Sequence, residues 1–348
     1  MMRTEDLDYC KEAIRHGSLS FHSASKLLPA KVRDPAIALY AFCRLADDAV
    51  DLQAQKAAAV LRLQERLDLA YAGKPYDAPA DRAFADMVAQ HDMPRALPEA
   101  LLEGLAWDAC ERRYETLSDL YGYSARVASA VGAMMCVLMG VRDPHALARA
   151  CDMGVAMQLT NIARDVGEDA LEGRIYLPLE WLEEAGLDPE AFLANPKSSK
   201  AIRIMTRRLV MDAERLYTKG HTGISSLPLM ARPGIKAAGL IYAGIGREVQ
   251  RNGYDNITVR ARTSKSQKLG WLSLAFLQAA LGSVLPRSPM LYGPPLPEVA
   301  FLVQAASGQD TTQSAWGDGA IGSVLTVMAD LKNRERLQRL EPGEMRPS

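Results

Sequence analysis

The sequence predicts an all-α fold, and three observations carry that prediction. Proline and glycine fall in clusters, and the stretches between them run long without a strong breaker. No run of alternating apolar and polar residues closed by an Asn-Gly or Asp-Gly turn occurs anywhere in the chain. Asp34-Pro35 and Asp143-Pro144 each set a capping side chain ahead of a proline suited to the first helical position.

Taken in order, Asp34-Pro35 predicts a helix over 36–55. Further helices are predicted over 57–72, 82–91, 98–114 and 124–139, and Asp143-Pro144 opens one over 145–171. Two more follow at 199–226 and 233–252. Breaker-rich loops lie at 73–81, 92–98, around Asn195-Pro196 and over 253–266. The most apolar stretch, 269–286, contains Gln278, two glycines and several serines. It is read as a buried or membrane-grazing helix, not as a membrane span. From Tyr292 onward the chain is rich in Pro, Gly, Gln and Ser. The expected organisation is therefore a helical domain over 1–290 and a flexible or loosely packed tail over 291–348, with one short helix near 321–340.

Composition narrows the function classes. A formal net charge of −1 over 348 residues, with no long basic run, argues against a nucleic-acid partner. The five cysteines form no CxxC pair and read as reduced, mostly buried thiols. The acidic N-terminus lacks the apolar centre of a secretory signal, so a cytoplasmic location is expected.

Two segments carry chemistry. In Tyr40–Asp51, at about 100° per residue, Tyr40, Arg44, Asp47 and Asp51 fall within an arc of roughly 60°, on a helix otherwise built from Leu39, Phe42, Ala46, Ala49 and Val50. In Gln158–Asp169, Gln158, Asn161, Asp165 and Asp169 share an arc of roughly 80° among Leu159, Ile162 and Val166. Either stripe alone reads most simply as a solvated helix face. Two of them on apolar helices need a compensating charge, and hard divalent cations that prefer carboxylate oxygens and complete their shell with phosphate supply it.

The segments YAFCRLADDAVD and NIARDVGEDALEGRIYLP resemble the two signature segments of the squalene and phytoene synthase family, and the similarity runs from about Cys10 to about Lys268. Among its members the chain is most similar to bacterial ones. The resemblance implies a single helical bundle of the isoprenoid synthase type around a central cavity. It implies Mg²⁺, with Mn²⁺ as a substitute, held by Asp47, Asp48 and Asp51 from one wall and by Asn161, Asp165 and Asp169 from the other. Asp47, Asp51, Asp165 and Asp169 thereby carry catalysis. His16, Tyr40, Arg44, Gln158, Arg164, Tyr242 and Arg260 match positions that bind substrate. The implied reaction condenses two geranylgeranyl diphosphates head to head, through prephytoene diphosphate, to phytoene in carotenoid biosynthesis, without NADPH. Leu19 stands where many members have a basic residue, and Ala125 stands where many carry a second tyrosine after the one matching Tyr123.

Alternatives within the same fold are a dehydrosqualene or squalene synthase acting on farnesyl diphosphate, and a non-catalytic assembly factor. The retained aspartates speak against the last. The stretch 127–139 is expected either to wall the cavity or to serve as ordinary core. An uncharged hydrocarbon product does not leave willingly into water, since each buried CH₂ is worth about 0.8 kcal/mol. Peripheral membrane association through Trp271, Leu272, Leu274, Phe276 and Leu277 is therefore expected, with a downstream carotenoid desaturase as a further partner.

Overall fold

Asp143 accepts a hydrogen bond from the Ala146 N–H at 2.8 Å and Pro144 takes the first helical position, so the longest helix among the described residues begins where its cap predicts. In the computed structural model, which describes residues 2–51, 56–281 and 286–308, no described residue lies in a strand. The helices, in order, are α1 (Thr4–Gly17), α2 (Leu19–Ser25), α3 (Ala30–Asp51), α4 (Lys56–Tyr71) and α5 (Pro79–His91). They continue with α6 (Ala96–Ala109), α7 (Leu117–Ser124), α8 (Ala130–Leu138), α9 (Pro144–Leu171) and α10 (Leu179–Glu184). The last are α11 (Pro189–Ala194), α12 (Lys200–Gly223), α13 (Arg232–Arg251), α14 (Lys265–Leu281) and α15 (Ala300–Ser307). A π-helical turn, Ala125–Ser129, joins α7 to α8.

Not every predicted start holds. The α3 helix begins at Ala30, because the Pro29 carbonyl accepts from Val32 and Arg33 at 2.9 and 2.8 Å. Pro35 lies inside the helix, in its second turn, where its missing N–H forfeits one bond. Asp34-Pro35 is therefore not a cap. The α7 helix starts seven residues ahead of the stretch predicted to begin at 124. Its signal is a capping box, in which Thr116 accepts from the Asp119 N–H at 3.2 Å and donates its own N–H to the Asp119 carboxylate at 3.0 Å.

The bundle is organised around α9. Leu147, Val155, Leu159 and Ala163 on this helix are fully buried, and α8, α12, α13 and α15 pack around it. Small residues permit the closest crossings. A side chain at Gly154 would strike the Ser129 backbone, and one at Gly223 would lie 2.4 Å from Arg149 Cβ.

Packing continues past the boundary expected at 290. Leu291, Val299, Leu302 and Ala306 are all buried, and α15 packs on α6, α8 and α9. The Pro- and Gly-rich composition of this stretch masks a set of apolar anchors. Residues 309–348, including the short helix predicted near 321–340, lie outside the described residues. On α14, Trp271 lies over α13 against Gly244, with the Arg247 guanidinium 5.5 Å from its ring, and Ala275 is buried. Leu269, Phe276 and Leu277 on the same helix are more than half exposed. Among the described residues no helix is long and apolar enough to cross a membrane, and none of the five cysteines is in a disulfide.

Candidate active site

A cavity of about 350 Å³ runs beside α9 and is lined mainly by apolar side chains. Its lining follows α9 from Ala146 to Asn161, about 22 Å at the helical rise. Val127, Val131, Met135 and Met139 form one face of it at four-residue spacing, so the stretch 127–139 does wall the cavity. Tyr40, Gln158, Asn161 and Tyr242 line it as well, and these four are the predicted site residues that share the cavity surface. The Phe21 ring stands between Tyr40 and Tyr242, 6.3 and 5.4 Å from them. Burial pushes the Tyr242 hydroxyl up to about 12, so it stays protonated and available as a donor.

Asp165 and Asp169 lie one and two turns beyond Asn161 on the same helix, which extends the polar stripe out from the cavity. Arg164 turns back on Asp165, donating from Nε at 2.8 Å and from a second guanidinium nitrogen. Arg260 donates to the same carboxylate at 2.9 Å and reaches Glu168 at 3.0 Å. Arg260 comes from the loop after α13, and Gly167 is what admits that loop. A Cβ there would sit 2.7 Å from both the Asn256 carbonyl oxygen and Ile257 Cα. Asn256 secures the approach by donating to the Ala163 carbonyl at 2.7 Å. Asp255 braces the loop by accepting from the Ile257 and Thr258 N–H groups, and it pairs with Arg203.

The stripe has the electrostatics of a cation site. Burial and then the Asp165 charge push the Asp169 carboxyl up to about 8. The Asn161 Oδ1 atom is buried and finds no hydrogen-bond partner among the described residues, while its amide nitrogen faces Gln158 Oε1 at 3.5 Å. An oxygen without a donor and a carboxylate raised by a like charge are both relieved by a hard cation, so Asn161, Asp165 and Asp169 fit one. Among the described residues no three His, Cys, Asp or Glu side chains already converge. Asp47, Asp48 and Asp51 occupy the last turns of α3, and their side chains lie outside the described residues.

The remaining predicted residues stand apart. Arg44 is exposed, one turn beyond Tyr40 on α3. His16 is exposed on the last turn of α1, with its ring 3.3 Å from Glu12, and it does not line the cavity. Sequence reasoning missed a cluster next to Asp169. The hydroxyls of Tyr123 and Tyr176 each donate to one oxygen of Asp108 at 2.8 Å, and the Tyr114 ring stacks on Tyr176 and lies tilted against Tyr123. Burial pushes both hydroxyls well above the phenol range. Tyr176 lies beyond the end of α9, so helical spacing could not join it to the stripe.

The model of the squalene/phytoene synthase family matches residues 14–267. A phytoene synthase of Cereibacter sphaeroides is 56% identical, covering 97% of this chain and 96% of the relative. One of Rhodobacter capsulatus is 59% identical over 88% of this chain and 91% of the relative. A solved dehydrosqualene synthase in complex with ligand superposes with a TM-score of 0.74 at 30% identity, covering 80% of this chain and 97% of its own. The chain belongs to the squalene/phytoene synthase family.

Proposed function

We propose that this protein is a prenyltransferase that condenses two molecules of geranylgeranyl diphosphate head to head, through prephytoene diphosphate, to phytoene for carotenoid biosynthesis. The observation that carries the reading is the junction of an apolar cavity with a stripe of Asn161, Asp165 and Asp169. Such a junction suits a substrate with a long hydrocarbon tail and a doubly charged head. The phytoene synthase names of the two bacterial relatives support the same substrate and product.

Mg²⁺, or Mn²⁺ in its place, would be held by Asn161, Asp165 and Asp169 on this wall and by Asp47, Asp48 and Asp51 on the other. When bound, it supplies charge neutralisation for a departing pyrophosphate. The chain's own groups do the rest. Arg164 and Arg260 stand beside Asp165 with guanidinium groups suited to diphosphate oxygens. Tyr40, Gln158 and Tyr242 orient the head, and the exposed Arg44 and His16, outside the cavity lining, would meet it from beyond the cavity. The wall of Val127, Val131, Met135 and Met139 keeps water from an allylic cation. NADPH has no place in this reaction. The product would pass to lipid or to a carotenoid desaturase, with the exposed Leu269, Phe276 and Leu277 of α14 as the membrane contact.

The test is incubation of purified protein with Mg²⁺ and C20 diphosphate, without nicotinamide, followed by product mass. A C40 hydrocarbon with a central conjugated triene is expected. A strict NADPH requirement, or a C30 product from C15 diphosphate preferred more than tenfold, would sink the assignment.

A further inference from the structure

The cavity end away from the acidic stripe is bounded by Ala146 and Ala150 of α9 and by Gly220 and Gly223 of α12. The glycines bring the two helices into backbone contact. A Cβ at Gly220 would lie 2.9 Å from Met153 Cβ and 3.1 Å from the Arg149 carbonyl oxygen, and one at Gly223 would meet Arg149 Cβ. Arg149, between Ala146 and Ala150 in sequence, is 1% exposed and is held on several sides. Its Nε lies 2.7 Å from Asp152. Its Nη1 donates to the carbonyls of Met290, Leu291 and Gly293 at 2.6, 3.2 and 3.1 Å, and Nη2 donates to Pro294 at 3.1 Å. The segment it grips runs on into α15, whose Leu302 and Ala306 are fully buried. Arg142 holds the far end through the Ala306 carbonyl at 3.1 Å. The gripped segment, from Met290 to Ala306, lies beyond residue 267, where the match to the family model ends, while Arg142 and Arg149 lie within it.

We infer that Arg149 is a positioning residue for chain-length selection: by strapping residues 290–307 behind the α9–α12 crossing, it fixes the wall that the far end of a bound hydrocarbon tail meets. The inference rests on the prenyl diphosphate reading above. The carbons that distinguish a C20 tail from a C15 tail are the ones farthest from the head, so a wall at this end sorts the two. A wall that yields costs the longer tail its contacts and leaves the shorter one untouched. Loss of the contact of a methylene or so is worth about tenfold in discrimination.

The test uses the full-length protein with Mg²⁺ and the non-reacting S-thiolodiphosphates of the C20 and C15 alcohols, with affinities read by calorimetry. Arg149→Lys keeps a charge for Asp152 but cannot reach four carbonyls. It is expected to lower the C20-to-C15 affinity ratio about tenfold, through weaker C20 binding alone. Leu302→Ala loosens the strap at its other end with Arg149 in place, and it should move the ratio in the same direction. An unchanged ratio in both variants, with only the melting temperature lowered, assigns the strap to stability and overturns the inference, as does an equal loss of affinity for both ligands. Because binding is read without turnover, a wild-type protein that binds both ligands yet forms no C40 hydrocarbon would refute the reaction, while the ratio would still decide the role of Arg149.

Discussion

His221 offers the clearest measurement of how burial sets the acid stability of this bundle. The ring lies between α12 and α13, with Cε1 against Gly239 and the Tyr217 ring 6.3 Å away. Its Nδ1 is buried without a hydrogen-bond partner among the described residues. Burial, with a smaller contribution from the Lys236 charge, depresses the imidazole to about 3. In the unfolded chain the same imidazole titrates near 6.5. Acidification therefore protonates the unfolded state first, and stability is lost as pH falls below about 6.5. At pH 5 the difference amounts to about 2 kcal/mol, since each pH unit below the unfolded value contributes about 1.4 kcal/mol. Asp152 and Asp169, which burial raises to about 6 and about 8, act in the opposite sense as pH falls, but they are common to wild type and variant and cancel. Urea unfolding of wild type and His221→Leu at pH 7.5 and pH 5 isolates the effect. The variant should lose about 2 kcal/mol less than wild type over that interval. Equal losses in the two proteins would refute the assignment of a neutral, buried imidazole.

Asp165→Ala should abolish product formation at saturating Mg²⁺ while the far-ultraviolet circular dichroism stays helical. Asp165 sits at the edge of the core between two arginines, and full activity in this variant would remove the basis of the metal assignment. Phe276→Ser with Leu277→Ser should reduce co-sedimentation with anionic liposomes at low salt without lowering the melting temperature, because both side chains face solvent. Wild type that stays wholly in the supernatant would rule out docking through α14.

How far the sequence could be read depended on what each signal encodes. Helix existence was legible wherever apolar spacing ran long, and Asp143-Pro144 placed the start of α9 because the cap bonds within its own turn. Asp34-Pro35 carries the same two letters, yet Pro29 starts α3 earlier, and neighbouring chain overrides the local signal. The stripe of Gln158, Asn161, Asp165 and Asp169 was legible from periodicity, since one helix holds all four. Trp271 was expected on the membrane face, but the gap left by Gly244 draws it inward, and that gap is invisible from α14 itself. The Asp108–Tyr123–Tyr176 cluster joins three elements far apart in the chain, so no spacing rule could assemble it. Leu291, Val299 and Leu302 were hidden in a stretch whose Pro and Gly content resembles a disordered tail.

The π-helical turn at Ala125–Ser129 has a consequence for length variation in this region. A widened turn is equivalent to one residue slipped into a continuous helix, which offsets everything downstream by about 100°. Upstream of it Tyr123 points at Asp108, and downstream Val131, Met135 and Met139 point at the cavity. Ser129 pins the offset by donating its hydroxyl to the Cys151 carbonyl at 2.7 Å, alongside the bare Gly154. Deleting a single residue here would leave the composition of the wall nearly unaltered yet rotate it out of phase with the tyrosines. Insertions and deletions should therefore be far less tolerated at this turn than substitutions, a frame constraint enforced by geometry and not by the genetic code.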